Sequence, residues 1–183
     1  MKVQNLKLIA KTIYQLLGWK IKGHFPKEVK KMVVIAAPHT SWHDFYMALL
    51  FRSIIGVEIN FLGKKELFKW PFGWYFRKVG GTALDRTPGQ NKVTYIASLF
   101  KERETFRLAL SPEGTRKKVE NWKTGFYYIA LEAHVPILTI TMDFQNKQHK
   151  IGSLFYPTGD GNRDLKELRL FFKNVKGKIP ENS

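Results

Sequence analysis

The chain has 183 residues, 44% apolar and 14% aromatic, which supports one domain with its own hydrophobic core and excludes a disordered chain. Lys and Arg total 31 against 15 Asp and Glu, a formal charge of +16, so the expected partners are anionic: a phosphate-rich cofactor, an acidic carrier protein, an anionic membrane surface or nucleic acid. No cysteine is present, which excludes disulfides, thiolate metal sites and a thiol nucleophile, and which agrees with a cytoplasmic setting.

From the N-terminus, Leu6, Ile9, Ile13, Leu16 and Leu17 follow helical spacing with Lys7 and Lys11 roughly opposite, an amphipathic helix that lies in a membrane interface or packs on the domain. The lysines interrupt the apolar run and no small-residue cleavage site follows, so a signal peptide is not expected. Nowhere does an apolar run reach the roughly 20 residues that cross a bilayer. Gly18, Gly23 and Pro26 mark a break. Met32–Ala37 reads as a buried strand, Asp44–Ile55 as a helix and Val57–Leu62 as a strand. Glu66–Val79 is aromatic-rich and helical with a break at Pro71, followed by a short strand over Thr82–Leu84 and a helix over Asn91–Glu102. Phe106–Leu110 is a strand, Gly125–Ala133 a helix, Val135–Met142 a strand, Lys150–Tyr156 an edge strand and Leu165–Lys173 a last helix. The alternation predicts a single α/β domain with a mixed, mostly parallel sheet flanked by helices, plus the N-terminal amphipathic helix. Sites in such sheets form where strands end and helices begin.

Three segments at strand ends carry chemistry. In Pro38-His39-Thr40-Ser41-Trp42-His43-Asp44, four residues separate His39 from Asp44, a spacing at which a turn folds a carboxylate onto an imidazole and leaves the other ring nitrogen as a general base. The same residues also suit a plain helix start, with Asp44 as a cap. Ser111-Pro112-Glu113-Gly114-Thr115-Arg116 joins a glycine that lets backbone N–H groups approach an anion to a hydroxyl and to a planar guanidinium that matches phosphate. Glu113 is expected to partner Arg116, Lys117 or a substrate hydroxyl; an ordinary polar turn is the alternative. Gly80 to Arg86 adds flexible backbone, a short strand and an arginine, which also suits a surface ion pair with Asp85 or Glu113.

Taken in order, these blocks resemble the glycerolipid acyltransferase family, which includes lysophosphatidic acid and glycerol-3-phosphate acyltransferases. His39 and Asp44 match its His-four-residues-Asp signature, Gly80 or Gly81 through Arg86 its glycine-led segment, Pro112 to Arg116 its Pro-Glu-Gly-Thr-Arg block, and Val135-Pro136-Ile137 its fourth block. The resemblance spans about Lys31 to Asp143. Pro38 stands where the family commonly has Asn, and Ser111 where it commonly has a bulky apolar residue. The resemblance implies direct acyl transfer from acyl-CoA or acyl carrier protein to the hydroxyl of a lysophospholipid or glycerol phosphate, in phospholipid biosynthesis. In it, His39 is the base, Asp44 orients it, and Arg86, Glu113, Gly114, Thr115 and Arg116 bind the acceptor. The chain is thus expected to divide into an N-terminal amphipathic helical segment, residues 1–25, and an acyltransferase domain, residues 26–183. No metal or cofactor is expected beyond the acyl co-substrate. The protein is expected to be cytoplasmic and peripheral to the inner face of the cell membrane.

Lys64–Lys78 interleaves cations with six aromatics and suits a membrane-facing or acyl-channel element, or equally an aromatic core segment with a basic rim. His43 is expected to sit in solvent or to support the site from behind, since no ligand spacing surrounds it. Asp160, Asn162 and Asp164 vaguely suit a calcium loop, but Leu165 stands where its glycine belongs and Phe171 where its glutamate belongs. A nucleic-acid-binding module is the strongest rival on charge, and a silent lipid-binding protein on the same fold the second. Nucleic acid is not the expected partner, because the cations are spread along the chain and no binding motif appears.

Overall fold

The structure is a computed structural model that describes residues 3–84 and 91–183, with side chains from residue 7 onward. Arg86 lies outside the described residues. In chain order the elements are α1 (Val3–Leu16), β1 (Lys20–Lys22), β2 (Lys31–Ala37), α2 (His43–Ile55), β3 (Asn60–Lys64), a 3-10 turn (Lys65–Phe68), α3 (Gly73–Lys78) and β4 (Gly81–Leu84). They continue with α4 (Lys92–Glu102), β5 (Phe106–Leu110), α5 (Gly125–Glu132), β6 (Ile137–Thr141), β7 (Gln148–Phe155), α6 (Gly161–Leu170) and a last 3-10 turn (Pro180–Asn182).

The strands form one seven-stranded sheet in the order β1-β7-β6-β2-β5-β3-β4, parallel throughout except where β6 meets β7. This is the α/β class that the alternating pattern predicts. β2 is buried on both faces, which explains its unbroken apolar run. Val33 and Ile35 enter a core with Phe106, Leu108, Phe126, Tyr127 and Ile137, while Met32 and Val34 enter a second core with Phe51, Ile55, Leu138, Ile140 and Ile151. The second core lies under α2, whose inward residues Asp44, Met47, Phe51 and Ile55 recur at helical spacing.

Several boundaries differ from the sequence reading, each for a local reason. β3 starts at Asn60, because Gly56 ends α2 in the left-handed conformation (φ +69°) and the chain needs Val57–Ile59 to turn back. β6 starts after Pro136, whose missing N–H cannot join a ladder although its carbonyl accepts from Val33. α6 starts at Gly161, four residues earlier than its apolar periodicity suggests, because the Asp160 carboxylate accepts the Arg163 N–H and caps the helix. Glu66–Val79 is not one helix. The 3-10 turn and α3 meet at Gly73, where a Cβ would lie 2.0 Å from the Phe68 carbonyl oxygen. β1 carries one apolar residue between two lysines and gives no strand signal, yet it forms the sheet edge beside β7.

The packed face of α1 also differs from the apolar stripe. Ala10 and Tyr14 are buried, whereas Leu8, Ile9, Ile13, Leu16 and Leu17 are exposed, Leu16 at 82%. The stripe therefore does not pack on the domain. Within Lys64–Lys78, Phe68 turns inward while Trp70, Phe72 and Trp74 face solvent, Trp70 at 93%. No helix among the described residues is long and apolar enough to cross a membrane.

The topology sets the site. β2 and β5 are parallel neighbours, so the chains leaving Ala37 and Leu110 emerge side by side at the same edge of the sheet.

Candidate active site

Asp44 sits in the first turn of α2 and is 1% exposed. Its Oδ2 accepts the backbone N–H of Thr40 and of Ser41, each at 2.8 Å, and lies 2.8 Å from His39 Nδ1. Asp44 is not the helix cap, a position that Trp42 holds without a side-chain bond. Its carboxylate instead folds back onto the loop before the helix. A carboxylate can only accept, so the proton of the neutral imidazole belongs on Nδ1, and Nε2 keeps its lone pair.

Glu113 comes from the neighbouring loop, 74 residues away in sequence, and fastens His39 from behind: its Oε2 accepts the His39 backbone N–H at 2.8 Å and the Ser111 hydroxyl at 2.9 Å. Its partners are thus a backbone amide and a serine, not Arg116 or Lys117. Ser111, the residue that departs from the apolar family pattern, has a role here as the second donor to that carboxylate. Burial pushes the Glu113 carboxyl up, and these two hydrogen bonds partly oppose the shift.

Arg116 is exposed, and its Nε donates to His39 Nε2 at 3.4 Å. Thr115 stays within its own turn, its hydroxyl accepting the Lys117 N–H at 3.3 Å. Gly114 takes a left-handed φ of +64°, and a Cβ there would lie 2.7 Å from the Lys123 side chain, so the residue type fits both the turn and the close approach. His39, Asp44, Glu113 and Arg116 therefore meet at one place. His43 is half-buried, bonds Ser41 Oγ at 2.8 Å and lies tilted against the Trp42 ring with centroids 4.2 Å apart, so it braces the turn.

Among the described residues no group of three or more potential ligands could hold a metal ion. Asp160 caps α6, and Asp164 is buried against the Tyr127 hydroxyl at 2.8 Å and the Thr158 amide at 2.7 Å, so these acids hold α6 in place. One hollow borders the site and a second lies beneath α2. An open groove of about 710 Å³ runs past Pro38 and Glu113 between Trp122 and the α6 residues Lys166 and Arg169. A smaller cavity of about 110 Å³ lies beneath α2, walled by Val34, Phe45, Phe51, Ile59, Phe61 and Ile140. Sequence reasoning missed His149, which lines this second hollow, and Tyr14, which hydrogen-bonds it in the interior. A lone histidine in an ordinary strand gives no signal.

Comparison with known proteins supplies the family. The acyltransferase family model matches residues 9–143. The chain is 25% identical over 148 residues to the 1-acyl-sn-glycerol-3-phosphate acyltransferase of Escherichia coli (strain K12), covering 76% of this chain and 59% of that protein. It is 25% identical over 136 residues to the lyso-ornithine lipid O-acyltransferase of Rhodobacter capsulatus, covering 70% and 46%. The chain thus spans about half the length of these curated relatives. The crystal structure of the 1-acyl-sn-glycerophosphate (LPA) acyltransferase PlsC of Thermotoga maritima shares the fold, with a TM-score of 0.64 at 22% identity, over 93% of this chain and 76% of that one. The chain belongs to the acyltransferase family.

The raised carboxyl of Glu113 has a measurable consequence. Folding favours its protonated form, so stability is lost as pH rises from the ordinary carboxylate value of about 4.3 through the higher folded value. Glu113→Gln is expected to remove that slope. Urea unfolding at several pH values across the window checks it, and parallel pH dependences for the two proteins would contradict it.

Proposed function

We propose that this member of the acyltransferase family moves a fatty acyl group from a thioester donor, acyl-CoA or acyl carrier protein, to the hydroxyl of a phosphate-bearing lysolipid. The observation that carries the reading is the arrangement around His39: Nδ1 on a buried carboxylate, the backbone N–H on Glu113, and Nε2 turned to the exposed guanidinium of Arg116. Such a ring is fixed in tautomer and orientation, as a general base requires.

In this mechanism His39 Nε2 takes the proton of the acceptor hydroxyl as its oxygen bonds to the thioester carbonyl carbon. Asp44 stabilises the imidazolium that forms. The carbon–sulfur bond then breaks, and the departing thiolate recovers the proton from His39, so no acyl-enzyme is needed. This agrees with the absence of cysteine and of a Gly-x-Ser-x-Gly nucleophile elbow. Arg116, assisted by Arg86, holds the acceptor phosphate. An arriving phosphate competes with His39 for the guanidinium, and its binding frees Nε2 at the moment the hydroxyl is in place. Holding hydroxyl and base together in this way contributes several powers of ten in rate.

The apolar cavity beneath α2 adjoins the helix that carries Asp44 and, at about 110 Å³, takes a few methylenes of the acyl chain and not the whole of it. In this reading residues 26–183 form the transfer domain, with β1 of the preceding segment completing its sheet edge. The exposed Leu8, Ile9, Ile13 and Leu16 of α1 and the exposed Trp70, Phe72 and Trp74 with their lysines rest on the anionic inner face of the cell membrane.

Two measurements test this account. Arg116→Ala is expected to lower kcat/KM for lysophosphatidic acid by about 10- to 100-fold, the worth of a charge-assisted hydrogen bond, and to spare a phosphate-free acceptor; equal losses on both would remove its role. Binding to vesicles containing phosphatidylglycerol is expected to weaken steadily as salt is added, because the Debye length shrinks to about 3 Å at 1 M; salt-insensitive binding, or none, would overturn the membrane assignment.

A further inference from the structure

Two buried polar atoms near the site take no part in the transfer chemistry. The antiparallel register that runs from Ile140↔Ile151 to Asp143↔Gln148 sets His149 opposite Met142, and Met142 donates its N–H to Ala37, the last residue of β2. His149 therefore lies level with the strand end from which His39 emerges. With Ile151, two residues along, it faces α2: its ring centroid is 5.0 Å from that of Phe51 and 5.0 Å from that of Trp19. Asp44 heads the same inward face of α2, one turn before Met47 and two before Phe51.

His149 and Asp44 are each 1% exposed. Among the described residues, the buried side-chain atoms without a hydrogen-bond partner are His149 Nε2 and Asp44 Oδ1. One is an imidazole nitrogen and the other a carboxylate oxygen, and they lie under the same helix. Tyr14 of α1 is hydrogen-bonded to His149 Nδ1. Burial raises the Tyr14 phenol, which keeps its proton, and lowers His149 to about 3, which keeps the ring neutral at ordinary pH. With the phenol donating to Nδ1, the ring proton sits on Nε2 and meets the requirement of an acceptor such as Asp44 Oδ1. The Asp44 charge is also felt at His149, where it favours the ring's protonated form. Unsatisfied buried polar atoms are costly enough that a donor and an acceptor left over in one interior call for a common explanation.

We propose that His149 is a positioning residue for the catalytic pair: His149 Nε2 and Asp44 Oδ1 are not hydrogen-bonded to each other in this structure, and a small side-chain adjustment lets His149, held by Tyr14, direct its Nε2–H at Asp44 Oδ1 and so fix the carboxylate whose other oxygen orients His39. A partial turn of the Asp44 carboxylate about its Cβ–Cγ bond would break the contacts with His39, Thr40 and Ser41 together. A donor on Oδ1 opposes that rotation. The connection also ties the catalytic loop to α1, since Tyr14 comes from that helix. This role rests on the reading of His39 as the general base.

The test compares wild type, His149→Phe, which keeps a ring and removes the donor, and His149→Gln, which keeps an N–H donor. His149→Phe is expected to lower kcat roughly tenfold with KM for both substrates within about twofold, and His149→Gln to recover most of the loss. In an Asp44→Asn background the Phe substitution is expected to add nothing further. A second readout needs no turnover: in NMR spectra the His39 Nδ1 proton is expected to exchange with water roughly tenfold faster in His149→Phe than in wild type. Should His149→Phe fail to fold, Tyr14→Phe is measured in its place, with the same directions expected. A wild-type kcat together with unchanged proton exchange in the Phe variant would overturn the proposal, as would an equal loss in both backgrounds. If wild type transfers no acyl group, the functional reading fails, while the exchange measurement still decides whether His149 holds Asp44.

Discussion

One carboxylate oxygen organises the site. Asp44 Oδ2 accepts two successive backbone amides and the His39 ring, so a single buried atom fixes the loop between β2 and α2 and the imidazole it presents. The arrangement is economical because the amides belong to the residues that immediately follow His39. Bending the loop enough to satisfy them also brings the ring to the carboxylate. A side chain 1% exposed has little solvent to compete for that oxygen, so each bond counts for more than it would at the surface.

The sheet makes a second carboxylate available at the same point. Parallel pairing of β2 with β5 delivers the loop after Leu110 beside the loop after Ala37, and Glu113 crosses the gap to the His39 backbone. His39 is thus held at its ring by its own loop and at its backbone by the neighbouring one. Arg116, two residues beyond Gly114, is the exposed counterpart, on a turn with a left-handed glycine and in contact with His39 Nε2. The open groove beside α6 reaches Pro38 and Glu113, while the apolar cavity lies beneath α2.

Much of this was legible in the sequence because it is local or carried by short blocks. The His39–Asp44 contact spans four intervening residues, and the apolar run of β2 declares a strand buried on both faces. What escaped was long-range or conveyed by backbone. The partner of Glu113 is an amide, which every residue has and no residue type advertises. β1 escaped because Lys-Ile-Lys offers one apolar side chain, and its pairing with β7 comes from backbone groups. On α1 the leucines and isoleucines dominate any periodicity count, yet the residues that dock are Ala10, small enough for close approach, and Tyr14, whose hydroxyl finds His149. The glycine-led block could be matched by its spacing, but Arg86 lies outside the described residues.

The account stands or falls on His39 as the base of an acceptor-dependent transfer. The most direct measurement is thiol release from palmitoyl-CoA, and then from an acyl carrier protein donor, with and without lysophosphatidic acid, for wild type beside His39→Ala. The account predicts release that depends on the acceptor and falls by at least about 100-fold in the mutant, the usual scale of a general base. Near-normal release by His39→Ala, or release by wild type that ignores the acceptor, would contradict it.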